Sequence, residues 1–181
     1  MNTLILNGSP RKNGDTSALL GELSRHLSGK IVTLSPYFDN IGPCTDCRFC
    51  WRSPGCAIHD DMDVIYDGAN VFDNVVVASP VYFSDLTPPM LALCSRFQTY
   101  YAAKRFRASP VLPKPKRGAI LLVGGGDGDI VNARDSARRI LRYLNAECAG
   151  EITSLSTDTL PASEDAAALA RIRELAALLG K

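Results

Sequence analysis

The stretch Asn74-Val-Val-Val-Ala-Ser-Pro80 constrains this chain more than any other. An apolar run without polar alternation suits a strand buried on both faces, and such strands belong to parallel sheets flanked by helices. Leu4-Ile5-Leu6, Lys30–Leu34, Gly118–Val123 and Glu151–Ser156 read as further strands. Helical patterns alternate with them. The first carries Leu19, Leu20, Leu23 and Leu27 on one face, and the second begins near Met62 with Asp60-Asp61 as its cap. Others cover Leu91–Tyr101, a segment from Val131 to Leu144, and Ser163–Leu179 with Ser163 as cap.

Five strands alternating with five helices predict an α/β fold with helices on both faces of the sheet. Right-handed crossovers leave few topologies, and the five-stranded order 2-1-3-4-5 is the flavodoxin-like doubly wound sheet. A chain of 181 residues suits one domain, 1–181, with a cysteine-rich loop insertion at about 36–60. The net charge of +1 gives no general attraction to nucleic acid or anionic membrane. No apolar run reaches membrane-spanning length, and the first residues enter a strand without a basic leader. The expected location is the cytoplasm.

In this topology ligands lie at the carboxyl ends of the strands. The loop after the first strand is Asn7-Gly-Ser-Pro-Arg-Lys-Asn-Gly-Asp-Thr-Ser17. It offers hydroxyls and one Arg beside a helix N-terminus, where free amides favour an anion. It lacks both G-x-x-x-x-G-K-[ST] and G-x-G-x-x-G, which points away from nucleoside triphosphates and dinucleotides. A compact monophosphate such as that of FMN suits it, with Ser9, Arg11, Thr16 and Ser17 as donors. A plain βα turn is the alternative. After the third strand, Pro80-Val-Tyr-Phe83 could border a flavin ring or plug the sheet end. Gly124-Gly125-Gly126 lets backbone approach a flat ligand, or simply turns.

Six cysteines are present, and four crowd into Cys44-x2-Cys47-x2-Cys50-x5-Cys56. Two C-x-x-C steps sharing a cysteine, with a fourth nearby, suit a [4Fe–4S] cubane and resemble the ferredoxin spacing except for the longer last gap. Zinc, free thiols and a labile disulfide remain open. Arg48 and Arg52 could offset a cluster's negative charge. Cys94 and Cys148 read as core residues in helical contexts. The stretch 104–117 holds Lys104, Arg105, Arg107, Lys114, Lys116 and Arg117 without an acid. It reads as a solvated loop, or as a dock for an acidic redox partner or the 2′-phosphate of NADPH.

Taken together, the Asn7–Ser17 loop, the four cysteines followed by Asp60-Asp61-Met62, and Ser79-Pro-Val-Tyr-Phe83 resemble the iron–sulfur flavoproteins, within the NADPH-dependent FMN reductase-like flavodoxins. The resemblance implies an FMN-binding oxidoreductase or electron-transfer protein, forming a homodimer or a tetramer. The electron donor would be NAD(P)H or a ferredoxin, and the acceptor a small molecule or a protein. By position, Ser9, Arg11, Thr16 and Ser17 would hold the FMN phosphate. Pro80, Val81, Tyr82 and Phe83 would border the ring, with Gly124, Gly125 and Gly126 as a third edge. Cys44, Cys47, Cys50 and Cys56 would ligate the cluster. Asp15 and the Cys94-Ser95-Arg96 stretch depart from the pattern, and a carboxylate at 15 is discordant beside a phosphate. A different class also fits the sequence: a non-catalytic flavodoxin-like module with redox-sensing or zinc-binding cysteines.

Overall fold

The computed structural model describes residues 1–108 and 114–181. Five parallel strands form its sheet: β1 (Thr3–Asn7), β2 (Ile31–Leu34), β3 (Asn74–Tyr82), β5 (Lys116–Val123) and β6 (Ala146–Ser154). Their order is β2-β1-β3-β5-β6, the doubly wound order 2-1-3-4-5. A two-residue strand, β4 (Asp85–Leu86), pairs antiparallel with the end of β3 and was not expected from sequence. Helices α1 (Asp15–His26), α2 (Phe49–Arg52), α3 (Asp63–Gly68), α4 (Pro88–Ser95), α5 (Gln98–Phe106), α6 (Val131–Tyr143) and α7 (Ala166–Leu179) complete the described chain.

Alternation along the buried strands divides the core into two layers. Leu4, Leu6, Val75, Val77, Ile120 and Leu122 pack on one face with residues of α3, α4 and α6. Ile5, Val76, Ala78, Leu121 and Val123 face the opposite way, against Leu19 and Leu23 of α1 and Ile172 and Leu175 of α7. At the crowded centre, a Cβ on Gly8 would lie 2.8 Å from Ser79 Oγ. Glycine is therefore what lets β1 leave the sheet close against β3.

Several expectations are corrected. The N-cap of α3 is Met62 rather than Asp60 or Asp61: Asp60 Oδ1 accepts from Met62 N at 3.0 Å while its other oxygen turns to Arg96, and Asp61 accepts from Asn40 N. The apolar stretch 91–101 is two helices, broken at Arg96-Phe97, where Arg96 turns inward. Ser163 is not the cap of α7: Asp165 accepts from Ala168 N at 3.0 Å, and its other oxygen accepts from Ser154 Oγ at 2.8 Å. Cys148 lies exposed on the edge strand β6, beside a register irregularity in its pairing with β5, rather than in a helix. Nor is the basic stretch 104–117 one solvated loop. Lys104 and Arg105 end α5, Lys114 pairs with Asp73 at 2.5 Å, and buried Lys116 opens β5. Residues 109–113 of that stretch lie outside the described residues.

Candidate functional site

Two constellations gather chemically capable side chains. The first is an open pocket of about 230 Å³ at the carboxyl ends of the strands. Its floor is the loop between β1 and α1. Thr87 Oγ1 donates to Gly8 O at 2.8 Å, tying that loop to the start of α4. Asn7 Oδ1 accepts from Ser9 N at 3.0 Å. Ser9 Oγ accepts from Arg11 N and donates to Arg11 O, both at 3.2 Å, and Ser17 Oγ donates to the same carbonyl at 3.1 Å. These two hydroxyls therefore shape the turn around Arg11. Ser9, Arg11 and Thr16 line the pocket, whereas Ser17 does not.

Donors for an anion come from elsewhere in the same loop. Helix α1 starts at Gly14, with Ala18 N donating to Gly14 O at 3.0 Å. The amides of Asp15, Thr16 and Ser17 precede that first bond and have no acceptor among the described residues, as helix geometry requires. Thr16 is buried beside them, and exposed Arg11 makes no ion pair among the described residues. A Cβ at Gly14 would meet Arg11 Cβ at 2.9 Å, so the Arg11 stem packs over the helix start. The Asp15 carboxylate, expected to be discordant, accepts from Ala162 N at 2.9 Å. It braces the entry to α7 against the loop while still bordering the pocket.

The second wall is the end of β3. Pro80, Val81 and Tyr82 line the pocket, but Phe83 does not. Phe83 stands fully exposed at the tip of the β3–β4 hairpin, with φ of +52°, followed by Ser84 at +60°. Two left-handed central residues are the requirement of a type I′ turn, and an aromatic there is strained. The third wall departs from expectation in detail. Gly125 borders the pocket; Gly124 and Gly126 instead hold the loop after β6, accepting from Thr157 N and Ser156 N, each at 3.0 Å. A Cβ at Gly125 would lie 2.8 Å from the Asp158 carboxylate. Thr157 and Asp158 complete the wall and were missed from sequence. The signal was available: they follow the last parallel strand, and all carboxyl-end loops of such a sheet converge on one edge.

The cysteine loop forms the second constellation. Cys44, Cys47, Cys50 and Cys56 are free thiols and line one cavity of about 20 Å³. Left-handed Asp46 and Arg48, at φ of +50° and +58°, wrap the chain around Cys47. Asp46 N donates to Cys44 Sγ at 3.4 Å, and Cys44 N donates to Ser95 Oγ at 2.9 Å. Cys50 lies in α2, which is anchored by Trp51 stacking on Phe106 at 4.2 Å. The Arg48 guanidinium lies over the Trp51 ring, 4.8 Å from its centroid, while Arg52 is exposed. Burial pushes the Cys50 thiol up, and Cys44, Cys56 and Cys47 push it further, so all four sulfurs share one electrostatic neighbourhood.

One clasp holds this loop to the body. Arg96 Nη1 and Nη2 bond Asp60 at 2.6 and 3.2 Å, while Nη1 also donates to Gly42 O and Nη2 to Ile58 O. Burial pushes the Asp60 carboxyl up, but Arg96 and the amides of Gly42 and Met62 outweigh it and hold the group below the ordinary carboxylate range. Sequence reasoning missed this pair because nothing in the local pattern announces a contact across 36 residues.

Among the described residues no group of three or more His, Cys, Asp or Glu is gathered for a single metal ion. A zinc site draws its thiolates within about 4 Å of one another, given a Zn–S bond near 2.3 Å. A cubane places each thiolate on a different iron and so needs them further apart. The four thiols that line one cavity match in number the four thiolates a [4Fe–4S] cluster uses.

The model of the NADPH-dependent FMN reductase family matches residues 1–159. An iron–sulfur flavoprotein of Methanosarcina thermophila is 32% identical over 123 residues, which is 66% of this chain and 61% of that protein. One from Archaeoglobus fulgidus is 29% identical over 138 residues, covering 75% of this chain and 60% of its own length. The matches thus span about three fifths of those relatives. An FMN-dependent NADH-azoreductase from Bacillus anthracis, solved in complex with FMN, superposes with a TM-score of 0.70 over 100% of both chains at 14% identity. That likeness establishes the flavodoxin-like fold.

Proposed function

Because the chain belongs to the NADPH-dependent FMN reductase family, we propose that it is an FMN-dependent oxidoreductase that also carries a [4Fe–4S] cluster. The observation that carries the flavin reading is the pocket itself. There the amides of Asp15 and Thr16, without acceptors among the described residues, meet Arg11, which makes no ion pair among them, beside a wall of Pro80, Val81 and Tyr82. In this reading the amides and Arg11 neutralise the FMN phosphate, with Thr16 donating beside them. Ser9 and Ser17 act by holding the loop around Arg11. Pro80, Val81, Tyr82 and Gly125 border the ring, and the fully exposed Phe83 is the surface that a second copy in a homodimer would cover.

Bound FMN supplies the exchange between two-electron and one-electron chemistry, and the cluster supplies single-electron relay. The chain's own residues bind, orient and tune. Cys44, Cys47, Cys50 and Cys56 are the cluster ligands in this account, and their shared cavity, together with the iron–sulfur relatives, supports that assignment. NAD(P)H or a ferredoxin is the donor class, and a small molecule or protein the acceptor. The basic stretch is a poor partner for an NADPH 2′-phosphate beside the flavin. Lys116 opens β5 and Val123 closes it at the pocket, so they stand roughly 23 Å apart along the strand. Four free cysteines in one loop suit a reducing cytoplasm.

The test is an anaerobic titration with FMN followed by NADH or NADPH. Saturable quenching of flavin fluorescence, then bleaching of the flavin band by one nicotinamide, is expected. No uptake of FMN would reject the reading.

A further inference from the structure

Arg96, at the α4–α5 junction, is 1% exposed. Its four hydrogen bonds, to Asp60, Gly42 O and Ile58 O, all use the two terminal nitrogens. Nε is fully buried and has no partner among the described residues. Buried guanidinium donors are rarely left unmatched, so an orphan of this kind asks for an acceptor. The same side chain lines the cavity shared by the four cysteines. A purely structural role explains the Asp60 clasp but leaves Nε without a purpose.

We propose that Arg96 offers its Nε–H and its charge to the sulfur atoms of the cluster held by Cys44, Cys47, Cys50 and Cys56, and thereby sets that cluster's reduction potential. The inference rests on the iron–sulfur reading above. Reduction adds one electron to the cluster and no proton, so the reduced form carries one more negative charge. A nearby cation and a hydrogen bond to sulfur both favour that form and raise the potential. Asp60, bonded to Arg96, partly offsets this and holds the guanidinium in place.

The experiment uses the full chain, reconstituted anaerobically with ferrous iron and sulfide and titrated with dithionite under EPR. Iron and acid-labile sulfide are measured on every sample. Arg96→Gln is expected to keep its iron and to shift the one-electron equilibrium about tenfold toward the oxidised form, about 59 mV. Arg96→Lys, which keeps the charge, is expected within about threefold of the unaltered chain. Asp60→Asn is expected to shift the equilibrium the opposite way, toward the reduced form. A structural role alone would not give shifts of opposite sign. If Arg96→Gln fails to fold, Asp60→Asn and Arg96→Lys decide: no rise in potential for the first, or a full tenfold fall for the second, overturns the proposal. Equal potentials in all loaded variants overturn it as well. An unaltered chain that takes up no iron would instead remove the iron–sulfur reading on which the inference stands.

Discussion

Arg11 is the residue on which anion binding turns. Arg11 lines the pocket and makes no ion pair among the described residues. A hydrogen bond to a charged partner contributes about 1.5–3 kcal/mol. Arg11→Ala is therefore expected to weaken FMN binding by roughly 10- to 100-fold in a fluorescence titration, with a smaller salt dependence than the unaltered chain. Asp15 behaves differently. Its carboxylate accepts from Ala162 N, and an Asn oxygen can do the same. Asp15→Asn is expected to leave FMN affinity within about threefold; a tenfold tightening would mean that the carboxylate faces the phosphate. Asp60 gives a pH signature. A carboxyl whose folded pKa is depressed adds stability above its unfolded value, about 3.9, and loses it as pH falls through the folded value. Chemical denaturation should find Asp60→Asn less stable by about 3–5 kcal/mol near neutrality, because Arg96 is left as an unpaired buried charge. That gap should close as the pH is lowered below about 3.9.

At the scale of elements, the β3–β4 hairpin stores strain beside the pocket. Phe83 holds a left-handed conformation with no packing around it. Replacing it with Gly removes the Cβ clash and should raise the stability of the isolated chain by about 1 kcal/mol, seen as a higher Tm. If Phe83 matters to the flavin site or to association, the same substitution weakens FMN binding or the dimer. Elements of this kind show why parts of the molecule were legible in sequence and parts were not. The Val75–Val77 run and the helical stripe of Leu19, Leu20 and Leu23 carry their periodicity locally, and so announced strand, helix and sheet order. The Asn7–Ser17 loop was legible as a pocket wall because its turn residues are adjacent in the chain, whereas the inward use of the Ser9 and Ser17 hydroxyls was not. The hairpin was hidden because Phe and Ser are poor type I′ residues. The break between α4 and α5 was hidden because it follows from Arg96 reaching Asp60, a tertiary contact that no local propensity encodes.

For the whole molecule, the two constellations are carried by different parts of one doubly wound sheet. The pocket lies where the loops after β1, β3, β5 and β6 converge. The cysteine loop hangs between β2 and α3, held by the Arg96–Asp60 clasp, by Ser95 on Cys44 N and by Trp51 on Phe106. No helix of the described residues is long and apolar enough to cross a membrane. The central claim is that this single chain carries both a flavin and an iron–sulfur cluster. Cofactor quantitation of protein purified without oxygen tests it most directly. The expected result is about one FMN, about four irons and about four acid-labile sulfides per chain. Protein that holds neither flavin nor iron, and takes up neither when both are supplied anaerobically, would contradict the account.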